Sequence, residues 1–491
     1  MKTSAGWLTR IETLGNRLPH PALLFVWLAL AVIVLSVLLA WLGASASHPV
    51  TLNDYQVRSL LSAEGLRYLS GSLVSNFTGF APLGIVLVAM LGIGIAEQSG
   101  LLGASLGALV RAAPDKLLVP VIALAGVLSS MAVDAGYVVL IPLAAILFQL
   151  AGRHPLAGIA AAFAAVSGAF SANLLVGPVD ALLAGISTEA ARLENPDALV
   201  TATANYWFML ASSVLVTLLV TLVTVRWVEP RLGQPTDPSQ QAELPSHDRR
   251  ALRLAGLTAL ASILLILALA LPANAPLRHP ESGGLIPSPF IDGIVVLIAL
   301  VAALAGIVYG FACKQFRHAG DVIAAMEDTM SSLAGYLVLM FFAAQFVAWF
   351  GWSGMAAVIA IQGAGWLSTL ALPDTLLLLM FVLLAACLNL LVGSASAKWA
   401  LLAPVFVPML MLLGISPEAS QAAYRVGDSS TNIITPLMPY FALVLGFARR
   451  YQVDAGVGTL MALMLPYSLT LLAAWMLLLG GWLLLGIPLG F

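Results

Sequence analysis

The densest chemistry in this chain lies in one stretch, Arg425-Val-Gly-Asp-Ser-Ser-Thr-Asn432-Ile-Ile-Thr-Pro436. It carries two charges, several hydroxyls and a helix-breaking proline, yet hydrophobic runs long enough to cross a bilayer flank it on both sides. A charged side chain at mid-membrane depth costs at least about 2.5–3.5 kcal/mol. Backbone groups freed by a helix break in the membrane also need partners or water. We therefore predict that this stretch binds a substrate or an ion inside the membrane.

Charged residues near the predicted helix breaks are Asp134, Asp180, Arg425 and Asp428. A carboxylate in apolar surroundings can take up and release a proton during transport. A helix cap or an interfacial loop position would equally account for Asp134 and Asp180. Arg425 precedes Asp428 by three residues, which places both on one helix face and indicates an ion pair within the helix. The forked guanidinium of Arg425 also suits a substrate carboxylate.

Neutral oxygens form a second group near the breaks, as Ser171 and Asn173 in the first half and Ser430 and Asn432 in the second. Such oxygens suit Na⁺, which resembles other hard cations in this preference. The plain alternative is hydrogen bonding across helices, worth about 1 kcal/mol or less each. The residues predicted to couple transport to a cation or a proton are Ser129, Ser130, Asp134, Ser171, Asn173, Asp180, Ser430 and Asn432. Na⁺ is the one bound ion that this pattern indicates, the histidines show no metal-ligand spacing, and no cofactor is expected.

Trp399 lies just beyond a cluster of small polar residues and offers a face on which an aromatic substrate ring stacks. Many membrane tryptophans are only interfacial anchors, which is the alternative here. Pro417 and Pro436 are predicted to set where the binding helix begins and breaks, whereas Glu97 and Lys398 are predicted to lie nearer to water. The residues predicted to bind substrate are Ser394, Ser396, Trp399, Arg425, Asp428, Asn173, Asn389, Pro417 and Pro436.

Composition places these residues in an all-α polytopic membrane protein. The 491 residues are 61% hydrophobic and only 9% charged, against about 25% charged in soluble domains. The net charge of −2 gives no electrostatic support for nucleic-acid binding. The first apolar run, 21–43, is longer than a signal-peptide core, so we expect a transmembrane helix there.

The hydrophobic pattern predicts nine transmembrane helices and two re-entrant helical hairpins. The hairpins, 117–150 and 376–413, are apolar blocks interrupted by small polar residues, and two ordinary helices with a tight loop are the alternative for each. Most Lys and Arg residues then fall on one side, which predicts a cytoplasmic N-terminus. The nine spans are 21–43, 80–98, 156–188, 204–228, 251–272, 290–312, 331–352, 418–448 and 456–488.

An internal repeat organises the spans. Asp134-Ala-Gly-Tyr-Val-Val-Leu-Ile-Pro142 aligns with Ser396-Ala-Lys-Trp-Ala-Leu-Leu-Ala-Pro404, so that Tyr137 matches Trp399. Further on, Gly168-Ala-Phe-Ser-Ala-Asn173 matches Gly427-Asp-Ser-Ser-Thr-Asn432. The predicted division is a first repeat at 1–230, a loop with the fifth span at 231–289, and a second repeat at 290–491. Because the hairpins enter from opposite faces, the repeats have inverted topology, with broken helices at the bilayer midplane.

The second repeat resembles the AbgT family of p-aminobenzoyl-glutamate transporters. The matching stretches are Gly393-Ser-Ala-Ser-Ala-Lys-Trp-Ala-Leu-Leu-Ala-Pro404, Ser416-Pro-Glu418 and Tyr424-Arg-Val-Gly-Asp428 with the residues after it to Pro436. The resemblance implies a homodimer in the bacterial inner membrane. It implies transport of p-aminobenzoyl-glutamate, a folate breakdown product, and sulfonamide export in some members. It also implies that transport depends on Asp180, Trp399, Pro417, Arg425, Asp428 and Pro436.

We therefore predict a secondary active transporter, not an enzyme, that works by alternating access. Na⁺ and H⁺ both remain open as the coupling ion, as do import and export. The nearest alternative is a transporter of another small carboxylate, of the dicarboxylate or citrate type. A passive channel and an intramembrane aspartyl protease are more distant alternatives, the latter suggested only by carboxylates at membrane depth.

Overall fold

The computed structural model describes residues 21–49, 52–129, 136–233, 248–285, 288–438 and 440–491. Helices dominate these ranges, and the strands within them form one small antiparallel hairpin in which Ser45 lies opposite Gln56. In chain order the elements are α1 (Pro21–Trp41), β1 (Ser45–Ser47), β2 (Asp54–Gln56), α2 (Ala63–Thr78), α3 (Ala81–Gln98), α4 (Leu101–Arg111), α5 (Leu118–Leu128), α6 (Ile141–Leu150), α7 (Pro155–Gly168), α8 (Pro178–Ala191), α9 (Tyr206–Val223), α10 (Glu229–Leu232), α11 (Arg249–Ala270), α12 (Pro289–Asp292), α13 (Ile294–Ala312), α14 (Ala319–Ser332), α15 (Ala334–Trp352), α16 (Met355–Thr369), α17 (Asp374–Asn389), α18 (Ala395–Met411), α19 (Pro417–Asn432), α20 (Phe441–Arg449) and α21 (Val457–Leu484).

Seven helical stretches of the described ranges are long and apolar enough to cross a membrane. An eighth would be the pair α16 and α17, which bend by 117° at their junction. The seven stretches are Ala22–Trp41, Ala63–Gln98, Tyr206–Leu232, Arg249–Ala270, Ile294–Ala312, Ala334–Trp352 and Val457–Leu484. They correspond to seven of the nine predicted spans. The fold class is confirmed as helical and polytopic, whereas the count of nine stays a prediction.

The other two predicted spans are broken helices. In the first half α7 ends at Gly168 and α8 begins at Pro178, and in the second half α19 ends at Asn432 and α20 begins at Phe441. The first break contains its Ser-x-Asn element, whereas the second break directly follows its own. Proline contributes to each break because it lacks the backbone N–H that a continuing helix would use.

Each predicted hairpin consists of two helices beside a broken helix. The first contains α5 and α6, and its predicted site residues Ser130 and Asp134 lie outside the described residues. The second contains α17 and α18, which are joined by Leu390–Ser394. Re-entry into the membrane and the division into three segments stay predictions.

Small residues let the hairpins approach the broken helices closely. A Cβ on Gly427 of α19 would overlap the carbonyl oxygen of Val382 on α17, and a Cβ on Gly126 of α5 would overlap the methyl of Ala165 on α7. All fourteen residues of α7 are buried, and six of them are alanines. Every residue of α19 from Ala419 to Asn432 is buried as well, although most of them are polar. At the centre of the protein the polar α19 therefore packs against the second hairpin, and α7 packs against the first.

Peripheral helices surround this centre, and several of them were absent from the prediction. They include the amphipathic α2, the short α4, and α14 and α16. At the edge, α11 buries only Ala251, Ala255 and Ala270 and exposes most of its leucines. An apolar helix exposed in this way faces lipid or another apolar surface.

Candidate functional site

An ion pair joins the two halves of the chain at the protein centre. The Arg425 guanidinium on α19 donates through Nη2 to Asp180 Oδ1 on α8, and both side chains are at most 2% exposed. Asp180 Oδ2 accepts from the backbone N–H of Gly177 at 2.7 Å and from the amide of Asn173 at 3.3 Å. Asp180 thus caps the first turn of α8, where the helix dipole favours a negative charge. Arg425, on the second broken helix, thus neutralises the carboxylate that caps the helix after the first break.

The predicted ion pair between Arg425 and Asp428 is wrong. Three residues separate them on α19, but Arg425 reaches across to α8, while Asp428 lies 2.6 Å from the ammonium Nζ of Lys398 on α18. The prediction that Lys398 lies near water is also wrong, because Lys398 is only 1% exposed. A buried charge is tolerated when a partner neutralises it, and each carboxylate here has its own cation.

Asn389 connects the second hairpin to the second break. Its amide nitrogen donates to the carbonyl oxygen of Asp428 at 2.6 Å, to Thr431 Oγ1 at 2.8 Å and to Asn432 Oδ1 at 3.0 Å. Its own Oδ1 accepts from Lys398 Nζ. Asn389, which the sequence predicted to bind substrate, thus lies in a buried hydrogen-bond network. Through this amide the end of α17 is tied to the last turn of α19.

A cavity of about 210 Å³ lies between the second hairpin and the two breaks. The rings of Tyr137 and Tyr440 stack at one side with centroids 4.1 Å apart and planes within 5° of each other. The cavity is lined by Tyr137, Phe170, Val179, Leu182, Leu183, Gly393, Ser394, Ala395, Ser396, Asn432, Met438 and Tyr440. These residues come from both halves, as expected for a site at a repeat interface.

The structure places Ser394 and Ser396 of the predicted substrate residues, and Asn432 of the predicted coupling residues, in the cavity wall. Asp180 lies on α8 between Val179 and Leu182, which line the cavity, and the carbonyl oxygen of Asp428 accepts from the amide of Asn389. The two prolines have positional roles. Pro417 opens α19, where Ser416 caps the helix by accepting from the backbone N–H of Ala419 at 3.2 Å, and Pro436 lies in the break that follows.

The predicted cation ligands are not gathered in one place. Ser129 Oγ donates to the carbonyl oxygen of Gly126 at 2.6 Å and borders a separate apolar crevice of about 530 Å³ between α4, α5, α11 and α13. Ser430 Oγ donates to Gly427 within its own helix at 3.1 Å. Ser171 Oγ is buried and has no hydrogen-bond partner in the described part of the chain. Over the same ranges no group of three His, Cys, Asp or Glu side chains is arranged for a metal ion.

Trp399 does not line the cavity. It is fully buried, its ring stacks on Tyr424 with centroids 4.6 Å apart, and its indole N–H donates to Ser187 Oγ at 3.0 Å. The predicted stacking of a substrate ring on Trp399 therefore does not fit this structure, because the indole is fully buried and does not line the cavity. Trp399 on α18 instead stabilises the packing of this helix against α8 through its hydrogen bond to Ser187.

We expect Trp399→Ala to destabilise the protein by about 3–5 kcal/mol, because it leaves a large cavity between α8, α18 and α19. Trp399→Phe, which keeps an aromatic ring against Tyr424, should retain most of the stability and the substrate affinity. Thermal unfolding and equilibrium binding of the purified variants measure both effects. If Trp399→Ala is as stable as the unaltered chain but binds substrate more weakly, Trp399 contacts the substrate after all.

Sequence reasoning missed several residues of this centre. Tyr137 was visible as the repeat equivalent of Trp399, but only the structure shows that Tyr137 faces the cavity and Trp399 does not. Gln421 Oε1 accepts from Ser187 at 2.6 Å, and Tyr424 donates to the carbonyl oxygen of Ala395 at 2.6 Å. Both Gln421 and Tyr424 lie on α19. The polar composition of this helix within an apolar chain was the sequence feature that could have identified them.

Taken with the fold, this site defines a class of protein. Two broken helices and two hairpins from different halves of a polytopic helical chain surround a cavity lined by aromatic, aliphatic and small polar residues, and secondary transporters have their sites at such a repeat interface. The profile of the AbgT transporter family matches residues 6–491. The chain belongs to the AbgT family of transporters, and it is therefore a transporter rather than an enzyme.

Relatives match over nearly the whole chain. The p-aminobenzoyl-glutamate transport protein of Escherichia coli strain K12 is 41% identical over 490 residues, which cover 99% of this chain and 95% of that protein. The crystal structure of the YdaH transporter of Alcanivorax borkumensis is 62% identical with a TM-score of 0.94, over 96% of this chain and 100% of that one. MtrF of Neisseria gonorrhoeae is 46% identical with a TM-score of 0.91, over 97% of each chain.

Proposed function

We propose that this protein is a secondary active transporter of aromatic carboxylates of the p-aminobenzoyl-glutamate type, driven by a Na⁺ or H⁺ gradient. The observation that carries the proposal is the cavity between the two breaks, which has an aromatic wall and is lined in part by α8, the helix that carries the buried Asp180 of the ion pair with Arg425. The name of the Escherichia coli relative supports the substrate class, since that protein is called a p-aminobenzoyl-glutamate transport protein.

The chemistry of the site fits such a substrate. Phe170 and the stacked pair of Tyr137 and Tyr440 offer an apolar wall for an aminobenzoyl ring. The Arg425 guanidinium uses Nη2 for Asp180, whereas its Nε is buried without a hydrogen-bond partner among the described residues. A substrate carboxylate that reached Arg425 would satisfy this donor. A cavity of about 210 Å³ is small beside the ~300–1,000 Å³ of typical ligand pockets, so we expect the site to widen on binding.

Export of sulfonamide antimetabolites is the second proposed activity. MtrF is described as illuminating a class of antimetabolite efflux pumps, and it matches nearly the whole chain. A sulfonamide keeps the aromatic ring but lacks the glutamyl carboxylates. We therefore expect it to use the aromatic wall of the cavity and to depend less on Arg425.

For the assembly we propose a homodimer in the bacterial inner membrane with a cytoplasmic N-terminus. The exposed face of α11, with Leu257, Leu260 and Leu264, is an apolar surface that a second copy or lipid would cover. Cysteine pairs introduced on this face and crosslinked in membranes test the dimer. The prediction of N-terminal orientation rests on the distribution of Lys and Arg.

Uptake of radiolabelled p-aminobenzoyl-glutamate into proteoliposomes tests the proposed function, with the Na⁺ and pH gradients imposed independently. We expect accumulation against the substrate gradient under at least one of them. Competition by unlabelled p-aminobenzoyl-glutamate but not by succinate or citrate would exclude the dicarboxylate alternative. Equilibration without accumulation under every gradient would indicate a channel instead.

We expect Tyr440→Ala to weaken binding of p-aminobenzoyl-glutamate about two- to tenfold, because an aromatic contact is worth about 0.5–1.5 kcal/mol. Tyr440→Phe keeps the ring against Tyr137 and serves as the matched control, with affinity near that of the unaltered chain. Equilibrium binding to the purified proteins measures the effect. If Tyr440→Ala and Tyr440→Phe bind p-aminobenzoyl-glutamate with equal affinity, the aromatic wall does not contact the substrate.

A further inference from the structure

The apolar crevice between α4, α5, α11 and α13 has no part in the proposed function. Its volume is about 530 Å³, which falls within the ~300–1,000 Å³ of typical ligand sites. Among the described residues, its wall is made of aliphatic side chains and one phenylalanine, apart from Ser105 and Ser129. A polar ligand would lose its hydrogen bonds to water in such a place and find few replacements. The occupant of the crevice is therefore apolar over most of its length.

The crevice has the dimensions of one membrane leaflet. It runs along α11 and α13, both of which are long and apolar enough to cross a membrane. On α13 its wall extends from Ile294 to Ala305, a distance of about 16 Å at the ~1.5 Å rise of each helical residue. This is close to half of the ~30 Å hydrocarbon core of a bilayer. Leu175 and Ile263 of the wall are 52% and 44% exposed, so the crevice is open at the protein surface.

Basic side chains gather at one end of the crevice. Ala251 on the first turn of α11 belongs to the same packed cluster as Ala305, which ends the crevice wall on α13. The first two turns of α11 also carry Arg249, Arg250 and Arg253, and all three are exposed. The apolar crevice thus has a positively charged mouth.

Arg111, the last residue of α4, adds another positive charge to this mouth. It follows Leu109 of the crevice wall by two residues. The pKa of the Arg111 guanidinium is lowered, first by partial burial and second by the nearby positive charge of Arg249. Asp248 is the carboxylate next to these arginines, and it caps α11 by accepting from two backbone N–H groups of the first turn. Two positive charges held near each other favour an anion between them.

We propose that the crevice binds one anionic phospholipid, with an acyl chain against the apolar wall and the phosphate between Arg111 and the first turn of α11. Basic pockets between transmembrane helices on the cytoplasmic side hold such headgroups, and the distribution of Lys and Arg predicts that this end of α11 is cytoplasmic. The acyl chain would contact Ser129 at the end of α5 and Leu175 in the first break. The lipid therefore joins α11 and α13 to the first hairpin and the first broken helix.

The charge at the mouth favours a lipid over a second copy of the chain. In a two-fold dimer centred on this end, each chain would present the same arginines to its partner, and like charges at short range repel. A lipid phosphate instead carries the opposite charge and accepts two hydrogen bonds from one guanidinium.

Native mass spectrometry of the purified full-length protein counts the bound lipid. The protein is incubated with phosphatidylglycerol or with phosphatidylcholine of the same acyl chains, and the detergent is then removed in the gas phase. We expect one phosphatidylglycerol per chain to stay bound under conditions that remove phosphatidylcholine. At a concentration 100 times its Kd, phosphatidylglycerol should also raise the Tm by about 2–3 °C.

Charge variants test the headgroup site. Arg111→Gln with Arg249→Gln leaves the apolar wall intact and should weaken phosphatidylglycerol binding about 25-fold, because each basic residue near an anionic lipid contributes about fivefold. Binding of phosphatidylcholine should not change. Arg226→Gln is the matched control, since Arg226 is an exposed arginine that follows α9, away from the crevice, and the affinity should equal that of the unaltered chain.

A variant of the wall tests the site of the acyl chain. Ser105 is an exposed residue of α4 that lines the crevice, and Ser105→Phe should lower the retention of phosphatidylglycerol at least tenfold. Ala462→Phe places the same ring on an exposed position of α21 and should have no effect. The arginine variants still decide the question should Ser105→Phe not fold, because they change only the charge of the mouth.

Three outcomes would overturn the inference. Equal retention of phosphatidylglycerol and phosphatidylcholine by the unaltered chain would indicate nonspecific annular lipid only. Full retention of phosphatidylglycerol by the double arginine variant would exclude the headgroup site. Loss of dimers in Ser105→Phe with unchanged lipid retention would assign the crevice to a subunit interface. No transported substrate takes part in these measurements, so their results are independent of the proposed function.

Discussion

Replacing Arg425 by alanine should abolish transport of p-aminobenzoyl-glutamate and destabilise the protein by about 3–5 kcal/mol. The physical reason is the ion pair with Asp180, in which both side chains are buried. Removing one partner of a buried pair leaves the other charge without compensation, and this costs more than the pair itself contributes. Thermal unfolding measures the stability, and uptake into proteoliposomes measures transport.

A double variant separates the structural role of this pair from its role in transport. Arg425→Met with Asp180→Asn removes both charges at similar side-chain volumes, and we expect most of the lost stability to return. Transport should stay absent, because no guanidinium remains to bind a carboxylate. If the double variant transports p-aminobenzoyl-glutamate at the rate of the unaltered chain, the pair is purely structural.

Gly427→Ala should have the second largest effect. A Cβ at this position would overlap the carbonyl oxygen of Val382 and the methyl of Ala385 on α17. The collision involves backbone, so α19 must move away from α17, and the hydrogen bonds of Asn389 to the last turn of α19 must lengthen. We expect a loss of about 1–3 kcal/mol from overpacking, with a marked fall in transport.

A matched glycine provides the control. Gly256 lies within α11 and has nothing near the position of an added Cβ. Alanine there should be neutral or stabilising by up to about 1 kcal/mol, because alanine has the higher helix propensity. If Gly427→Ala and Gly256→Ala unfold at the same temperature and transport equally well, close packing of α17 on α19 has no role in the site.

The fold class followed from composition and hydrophobic pattern, because a membrane imposes length and polarity on every helix that crosses it. The breaks were also predictable, since a Ser-x-Asn element and a proline recur in both halves. Short amphipathic helices such as α2 and α14 were missed because they lack the long apolar run on which that prediction rests.

Side-chain pairing in the centre was much harder to predict. Sequence spacing favoured Arg425 with Asp428, whereas the structure pairs each of them with a residue of another helix, Asp180 and Lys398 respectively. Spacing within a helix reports only which residues share a face, and the identity of the facing helix depends on tertiary packing. Trp399 illustrates the same limit, because a residue next to a hairpin tip can face either the cavity or the neighbouring helix.

Protection of a cysteine in the cavity wall by substrate tests the central claim most directly. The chain has two cysteines, Cys313 and Cys387, and both can be replaced by serine before Ser396→Cys is introduced. Ser396 lines the cavity, whereas Gln452 is exposed outside it and Gln452→Cys serves as the control. We predict that maleimide labels both variants and that p-aminobenzoyl-glutamate slows labelling of Ser396→Cys alone. Labelling of Ser396→Cys at the same rate with and without saturating substrate would contradict a substrate site between the two breaks.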